Sequence, residues 1–268
     1  TYPSGDVMHI PAAYCYRCAY RLSFPACDLK CARQLEDTVK SGDYAAFIIE
    51  PIQGNGGIIT PPAGYFNRVR EILDKYGTLL ITDEVQTGFG RTGRMFAIEH
   101  WDVVPDIMTM AKGIANGTPI GAFTTGDTIA SSYTRPGAST TGGNPVSATA
   151  ALATINVIEK QQLTWKAKEL GVYFKEKLTE LQAWHVSIGE VRGKGLMIGV
   201  ELVKEDKIPA SEEVDFILEE LKNRGILAGK TGMSRNVLTF QPPLVITRND
   251  IDHVVETLDK VLFMVENR

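Results

Sequence analysis

The chain has 268 residues, of which 44% are hydrophobic and 22% are charged, as in an ordinary globular protein. Its net charge is −4 and it has no run of Lys or Arg, which argues against a nucleic-acid or anionic-membrane partner. No apolar stretch could span a bilayer, and the first residues resemble neither a signal peptide nor a transit peptide. We therefore expect a cytoplasmic protein. A mitochondrial location stays open, because the sequence starts abruptly, as if inside a domain.

The four cysteines lie close together near the N-terminus, at Cys15, Cys18, Cys27 and Cys31, with the spacing C-x2-C-x8-C-x3-C. Four thiolates can complete a tetrahedral zinc shell. The eight-residue gap is shorter than in the usual zinc ribbon, so we expect reduced thiols packed in a loop. A metal site and a disulfide are the alternatives.

The first part of the chain alternates between helix and strand patterns. Short apolar runs predict buried strands, and apolar residues at helical spacing predict helices. The predicted elements are a helix over 33–40, a strand over 44–51, a helix over 61–77, a strand over 78–82 and strands within 103–113 and 119–126. This order is typical of a mainly parallel sheet flanked by helices, and predicts an α/β domain over residues 1–150.

The residue pattern changes near Val146, where an almost continuous helical pattern begins. We predict one long connecting helix over 151–185. Residues 186–203 alternate as strands do, residues 211–225 are amphipathic, and residues 236–247 predict a strand. A last helix follows, with Thr247 as its N-cap and Asp250 three residues later. Residues 186–268 thus predict a small α+β domain.

The stretch LLITDEVQTGFGRTG carries Gly88, Gly90 and Gly93 at the spacing G-x-G-x-x-G. A dinucleotide-binding turn needs these glycines directly after a strand and at the start of a helix. Here five residues intervene after LLIT, and no helical pattern begins at Arg94. We interpret the glycines as a loop that turns tightly or approaches another backbone closely.

Two charged residues lie where α/β sheets place their ligands, at the carboxyl ends of predicted parallel strands: Asp83 and Lys112. A lysine can form a Schiff base with a cofactor aldehyde, and an acid can pair with the protonated ring nitrogen of that cofactor. The alternative is structural, with Asp83 capping the loop and Lys112 solvated or ion-paired. Spacing alone favours this alternative.

Four blocks of sequence instead favour the cofactor-binding interpretation of Asp83 and Lys112. They are IIEPIQGNGG, LLITDEVQTGFGRTG, PDIMTMAKG and STTGGNPVSATAALA, in this order along the chain. Together they resemble the class III (subgroup II) pyridoxal-phosphate-dependent aminotransferases. The resemblance runs over essentially the whole chain. It implies the fold-type I architecture, with residues 1–150 as part of the large cofactor-binding domain, and a homodimer with its cofactor site at the subunit interface.

The resemblance also implies roles for individual residues, all of which match positions in the family blocks. Lys112 would bind pyridoxal 5'-phosphate covalently and then move a proton at the substrate. Asp83 would hold the pyridinium nitrogen, Val85 would pack on the ring, and Gln86 would bond near the ring hydroxyl. The remaining matches are an ordering acid at Glu50 and a pair of phosphate-binding hydroxyl residues, Ser139 and Thr140.

Two positions depart from the relatives that act on 4-aminobutyrate or ornithine. Those relatives carry a glutamate at Asn55 and a carboxylate-binding arginine at Thr239, and the two form an ion pair. Losing both is physically coherent, because one alone would be an unpaired buried charge. The usual substrates therefore lose support, and Arg235 or Lys230 becomes a candidate for binding the substrate carboxylate.

The resemblance implies transfer of an amino group from an amino acid or ω-amine to a 2-oxo acid such as pyruvate, glyoxylate or 2-oxoglutarate. The family also contains amino-acid racemases and amino-phosphate lyases, which remain alternatives. The family's Gly/Ser-rich phosphate-binding turn is not found in this sequence. We therefore expect that an N-terminal portion of the family chain is absent, and an inactive fragment that serves as a structural subunit is a further alternative.

Overall fold

The computed structural model describes residues 7–268. Its α-helices are α1 (Lys30–Val39), α2 (Tyr65–Tyr76), α3 (Asp127–Ala130), α4 (Pro145–Lys160), α5 (Leu163–Gln182), α6 (Ser211–Asn223) and α7 (Arg248–Glu266). Its strands are β1 (Ala46–Ile49), β2 (Leu79–Asp83), β3 (Ile107–Met110), β4 (Ala122–Thr125), β5 (Ile188–Lys194), β6 (Met197–Leu202), β7 (Gly229–Thr231) and β8 (Val237–Phe240). Short 3-10 helices cover Ala97–Trp101, Lys112–Ala115 and Glu205–Lys207. Over residues 7–268, the helices are all too short or too polar to cross a membrane.

The first sheet has the strand order β1-β2-β3-β4. Strands β1, β2 and β3 run parallel, and β4 is antiparallel to β3. The carboxyl ends of the three parallel strands therefore meet at one edge of the sheet. This confirms the predicted mainly parallel α/β fold.

Helix α2 covers one face of this sheet because its apolar residues recur at helical spacing. Phe66, Val69 and Leu73 are completely buried and pack in one cluster with Leu80 of β2. The helix ends at Gly77, which takes the left-handed conformation while its N–H bonds to the carbonyls of Leu73 and Asp74. The predicted helix at 61–77 is thus confirmed, although it begins later than the pattern indicated.

The second sheet is antiparallel, with the strand order β5-β6-β8-β7. Helices α5, α6 and α7 cover it, and their buried side chains form a separate core with those of β6 and β8. Thr247 caps α7 as expected: Asp250 N donates to its hydroxyl (3.2 Å), and Thr247 N donates to the Asp250 carboxylate (2.9 Å). The two separate cores support the proposed division into a large and a small domain.

The single long helix expected over 151–185 is wrong. Two helices occupy this region, α4 and α5, and they are separated at Gln161 and Gln162, where Gln162 has a φ of 52°. Helix α4 also starts earlier, at Pro145, because Asn144 caps it by accepting a hydrogen bond from Ser147 N (3.0 Å). Because no Gly or Pro lies at the break, the helical pattern of the sequence continues across it.

Three glycines form a junction between the two sheets and α5, which we call the glycine junction: Gly93, Gly171 and Gly195. A Cβ on Gly93 would lie 2.9 Å from Cβ and 3.0 Å from Cα of Lys168 in α5. A Cβ on Gly195 would lie 2.3 Å from the Thr92 carbonyl carbon, and one on Gly171 would lie 2.2 Å from Gly195 O. The predicted close backbone approach of residues 88–93 is therefore confirmed.

Candidate active site

Three charged residues lie side by side at the carboxyl edge of the first sheet. Glu50 follows the last residue of β1, Asp83 ends β2, and Lys112 lies two residues beyond β3. The register pairs Ile49 with Thr82 and Asp83 with Thr109, so the strands end level with one another. Adjacent strands are roughly 4.8 Å apart, which brings the three side chains within each other's electrostatic reach.

Asp83 is half-buried and lies at the point where β2 turns into the glycine loop. Its Oδ1 accepts a hydrogen bond from Val85 N (3.0 Å), which fixes the carboxylate against the first residues of the loop. This leaves Oδ2 for another donor. An anionic group held at a strand end in this way is suited to binding a cationic N–H.

The neighbouring acid, Glu84, has a different environment, since its side chain points into the core on the other face. It is fully buried and accepts hydrogen bonds from the Thr87 hydroxyl and from Ile98 N (2.8 Å). Burial raises the pKa of Glu84, and these hydrogen bonds oppose the rise. Glu84 therefore orders the chain after β2 rather than facing the cleft.

Lys112 begins the 3-10 turn Lys112–Ala115, and its φ of 47° places a non-glycine residue in the left-handed region. Ala111 before it is extended, so the chain changes direction sharply at the lysine. Such backbone outliers cost free energy and are concentrated at functional sites. Lys112 shares this feature with eleven other non-glycine residues of the described chain, so the outlier alone assigns it no function.

Lys112 lines a cleft of about 550 Å³ between the two sheets. Val85, Gln86 and Gly113 share its lining, whereas α4, α5 and the segment after β8 supply a mostly apolar opposite wall: Ala153, Val157, Ile158, Leu163, Pro243, Leu244 and Val245. Gln86 Nε2 donates to Gln241 Oε1 (3.2 Å), so an amide pair joins the loop after β2 to the segment after β8 at the edge of the cleft. Gln241 lies 155 positions from Gln86, and no sequence signal links the two.

Neither Glu50 nor Asp83 is among the residues that line the cleft. Glu50 holds the turn that follows β1. Its Oε2 accepts a hydrogen bond from Gly54 N (2.8 Å). Burial raises the pKa of Glu50 and the charge of Asp83 raises it further, while the Gly54 N–H and the charge of Lys112 act in the opposite direction. Glu50 therefore lies within electrostatic reach of both Asp83 and Lys112.

Arg91, in the glycine loop, also lines the cleft. Its Nη1 donates to Leu196 O (3.1 Å) and Pro242 O (2.5 Å), both in the small-domain part of the chain. Burial lowers the pKa of Arg91 to about 10. Arg91 thus joins the loop after Asp83 to the segment that carries Gln241.

Ser139 and Thr140 are not brought to this cleft. Both are exposed, and Ser139 lines a separate depression with Pro119, Ile120 and Gly121, where its hydroxyl accepts from Gly142 N (2.9 Å). Within one chain, the residues matched to the phosphate group therefore do not line the Lys112 cleft.

The two substituted positions differ in exposure. Asn55 is exposed and its carbonyl accepts a hydrogen bond from Gly232 N (3.0 Å), whereas Thr239 is buried in β8. Lys230 forms an ion pair with Asp215, which reduces its availability for a substrate. Arg235 is exposed and does not line the cleft.

All four cysteines are free and line one small cavity near Tyr14 and Pro62. Burial raises the pKa of Cys15 and Cys31, and the neighbouring cysteines raise it further. Between residues 7 and 268, no group of three or more His, Cys, Asp or Glu residues is arranged to hold a metal ion.

Comparison with known proteins gives concordant results. The family model described as "Aminotransferase class-III" matches residues 3–262. The chain is 47% identical to the mitochondrial alanine–glyoxylate aminotransferase 2 homolog 2 of Arabidopsis thaliana, over 90% of this chain and 52% of that protein. It is 41% identical to a leucine/methionine racemase of Thermococcus litoralis, over 98% of this chain and 60% of that protein.

A solved structure agrees with these matches. The PLP-bound amine transaminase from an uncultivated Pseudomonas species superposes with a TM-score of 0.90 and 35% identity, over 98% of this chain and 64% of that one. The chain thus spans little more than half the length of the curated relatives that it matches.

Proposed function

This chain belongs to the class III aminotransferase family, and we propose that it is a pyridoxal-phosphate-dependent transaminase. The reaction would move an amino group from an amino acid or ω-amine to a 2-oxo acid. The observation that carries this proposal is the placement of Lys112 and Asp83 at the ends of adjacent parallel strands, with Lys112 opening into the cleft.

The residues around the cleft fit the cofactor. Asp83 has one carboxylate oxygen fixed by Val85 N and the other available for a pyridinium N–H. Val85 and Gln86 line the same cleft and are suited to a ring face and its hydroxyl side. When bound, pyridoxal phosphate supplies an electron sink for the carbanion that forms at the substrate's α carbon.

The protein residues then have distinct tasks. Lys112 Nζ holds the cofactor and moves a proton to or from the substrate's α carbon. Asp83 keeps the ring nitrogen protonated by ionic pairing, and Glu50 orders the turn beside it. With cofactor and substrate bound, the mostly apolar opposite wall of the cleft would shield these groups from water and so strengthen the charge interactions among them.

The substrates follow from the two substituted positions. Without an arginine at Thr239 or an acid at Asn55, the cleft lacks the ion pair of the ornithine-type relatives. The relative in Arabidopsis thaliana is named for alanine and glyoxylate. We therefore favour a small amino donor such as alanine and an acceptor such as glyoxylate or pyruvate, with 2-oxoglutarate also to be tested.

A homodimer accounts for the position of Ser139 and Thr140. Both are exposed and lie away from the Lys112 cleft of their own chain, so a second copy can present them to its partner's site. We place the enzyme in the cytoplasm, and a mitochondrial location is the alternative because the Arabidopsis thaliana relative is named as mitochondrial.

The proposal is tested by adding pyridoxal phosphate and recording an absorbance spectrum, followed by borohydride reduction and peptide mass mapping. We expect a band near the visible edge and a covalent adduct on Lys112, both absent from Lys112→Ala. An adduct on another lysine would refute the assignment of Lys112. If no adduct forms at all, the chain is an inactive structural subunit.

The racemase remains a second candidate because a leucine/methionine racemase is 41% identical over nearly the whole chain. The two functions differ in their need for an acceptor. We expect no turnover of alanine, 4-aminobutyrate or a phospho-amine without a 2-oxo acid. Inversion of an L-amino acid in the absence of any acceptor would favour the racemase, and elimination would favour a lyase.

A further inference from the structure

The turn after β1, residues 53–59, connects the candidate active site to the second sheet. A backbone bridge closes it, with Gln53 N donating to Ile59 O (3.0 Å) and Ile59 N donating to Gln53 O (3.1 Å). The turn begins three residues after Glu50 and includes Asn55. It is therefore a compact unit that can move or be held as a whole.

On its cleft side, the 53–59 turn contacts two residues of the site. Gly54 N donates to Glu50 Oε2 (2.8 Å). A Cβ on Gly54 would lie only 2.1 Å from Gln86 Oε1, so the bare backbone of Gly54 packs directly against the Gln86 amide. The position of Gly54 thus limits where both Glu50 and Gln86 can lie.

On its other side, the turn is held by Arg192 of β5. Arg192 is 6% exposed, and its Nε (2.9 Å) and Nη2 (2.6 Å) both donate to Gly57 O. Two N–H groups of one guanidinium that donate to the same carbonyl form a strong and directional contact. The neighbouring hydrogen bond from Gly232 N to Asn55 O gives the turn a second attachment to this sheet.

Arg192 is itself fixed by two carboxylates, of which Glu201 is buried and Glu190 is partly exposed. Its Nη1 donates to Glu201 Oε2 (2.7 Å) and Glu190 Oε2 (2.6 Å), and Glu201 is only 1% exposed. Glu201 also accepts hydrogen bonds from Tyr14 and Arg17. Because an unpaired charge in such a place is costly, this network leaves the guanidinium little freedom to release Gly57.

We propose that Arg192 is a positioning residue of the active site: by holding Gly57 O, it fixes the 53–59 turn and thereby sets the positions of Glu50 and Gln86 beside the cofactor. The catalytic part of this inference rests on the proposed transaminase function. The structural part, that Arg192 immobilises the turn, does not depend on it.

Hydrogen–deuterium exchange of the peptide covering residues 53–59, without cofactor, tests the structural part. In Arg192→Met, we expect the exchange rate of these amides to rise by about tenfold or more. Arg192→Lys should lie between it and the wild type, since a compact ammonium cannot reproduce the planar fork by which the guanidinium bonds Gly57 O and Glu201 together. Arg70→Met is the matched control, because Arg70 is also largely buried and ion-paired, with Asp74 and Asp106, but lies on α2. Unchanged exchange in both Arg192 variants would overturn the inference.

Steady-state kinetics and cofactor titration test the catalytic part. We expect Arg192→Met to lower kcat by on the order of 10²-fold and to weaken cofactor binding, with KM for the amino donor nearly unchanged and partial recovery in Arg192→Lys. A purely structural arginine would instead lower stability in both Arg192→Met and Arg70→Met while leaving kcat per folded molecule intact, which would refute positioning. If Arg192→Met does not fold, Arg192→Lys decides the question by the same measurements.

The two proposals can fail separately. If wild-type protein forms no cofactor adduct, the transaminase proposal fails, and exchange of the 53–59 turn alone decides whether Arg192 holds it. If the wild type is active and the exchange of the turn does not respond to Arg192, the positioning inference fails while the function stands.

Discussion

Asp83 and Glu84 are adjacent acids with opposite environments: Asp83 is half-buried at the end of β2, next to the cleft-lining Val85, and Glu84 is fully buried in the core. We expect Asp83→Asn to keep the Val85 N–H contact and the fold but to lower kcat by about 10²-fold or more, because the neutral amide no longer holds the ring nitrogen in its charged form. Turnover and unfolding measured on the same sample check this. Asp74→Asn, an exposed carboxylate on α2, is the control and should leave kcat unchanged.

Glu84→Gln should lower stability and leave turnover per folded molecule unchanged. Its amide replaces one acceptor of a buried hydrogen-bond set with a donor, so we expect the free energy of unfolding to fall by roughly 1–3 kcal/mol. Urea denaturation measures the loss. Because Glu84 does not face the cleft, a loss of turnover in the folded variant without a loss of stability would contradict this assignment.

At the residue scale, the strand-end positions of Asp83 and Lys112 could be predicted from the pattern of strands and helices, whereas Glu50 and the functional roles of all three rested on the resemblance to the family. What the sequence could not show is the left-handed backbone of Lys112 or the bond between Gln86 and Gln241. The first is a strain imposed by the surrounding chain, and the second depends on how two sheets pack. Neither has a local signature.

At the scale of the element, His185 in the turn between α5 and β5 is held by the last turns of α7. Its Nε2 lies 2.7 Å from Asp259 Oδ1 and its Nδ1 lies 2.9 Å from Glu266 Oε2. Burial lowers the pKa of His185, but the two carboxylates outweigh it and leave the pKa raised. Because folding raises this pKa, the protonated His185 ring contributes its full stabilisation below the unfolded pKa of about 6.5. That contribution is lost as pH rises through the pKa of the folded state.

We therefore expect the melting temperature to decline as pH rises above about 6.5, by a contribution that His185→Gln removes. Thermal unfolding across this range, followed by circular dichroism, measures it. His253→Gln, on the exposed side of the same helix, should retain the decline. Identical pH profiles for His185→Gln and the wild type would show that the turn is not held by the imidazolium.

The glycine junction allows a matched comparison with a glycine outside it that has a similar backbone. Gly77 has a φ of 67°, and a Cβ added there would meet no other atom within 4 Å, so Gly77→Ala should cost only the left-handed penalty of roughly 1–2 kcal/mol. Gly93 has a φ of 90° and also meets the Lys168 backbone at 3.0 Å, so Gly93→Ala should cost clearly more. Urea denaturation compares the two, and equal losses would mean that the contact with α5 yields easily.

At the scale of the element, the sequence predicted whether a segment is a helix or a strand better than it predicted where one helix ends and the next begins. The parallel strands and α2 follow from apolar periodicity and from Gly77, whereas the break at Gln162 has no Gly or Pro to mark it. The small strand β7 was also missed, because its three residues, Gly229–Thr231, carry too little pattern. Both depend on packing between distant segments.

At the scale of the whole molecule, the proposed dimer predicts complementation between inactive variants. Lys112→Ala and Thr140→Ala each disable a different part of the site. If each cleft uses Lys112 from one subunit and Thr140 from the other, unfolding and refolding an equimolar mixture should restore about a quarter of the wild-type sites, since half of the dimers are mixed and half of their sites are intact. An activity assay of the refolded mixture checks this, and no recovery would place both residues in one subunit's site.

The glycine junction also has a consequence for how the substrate range can be altered. Gly93, Gly171 and Gly195 are closed to larger residues because backbone meets backbone there. The cleft wall includes side chains such as Val157 and Val245, which are exposed and lie outside that contact. Variant libraries for new amine donors are therefore best confined to the side chains that line the cleft, and the three glycines are best left unchanged.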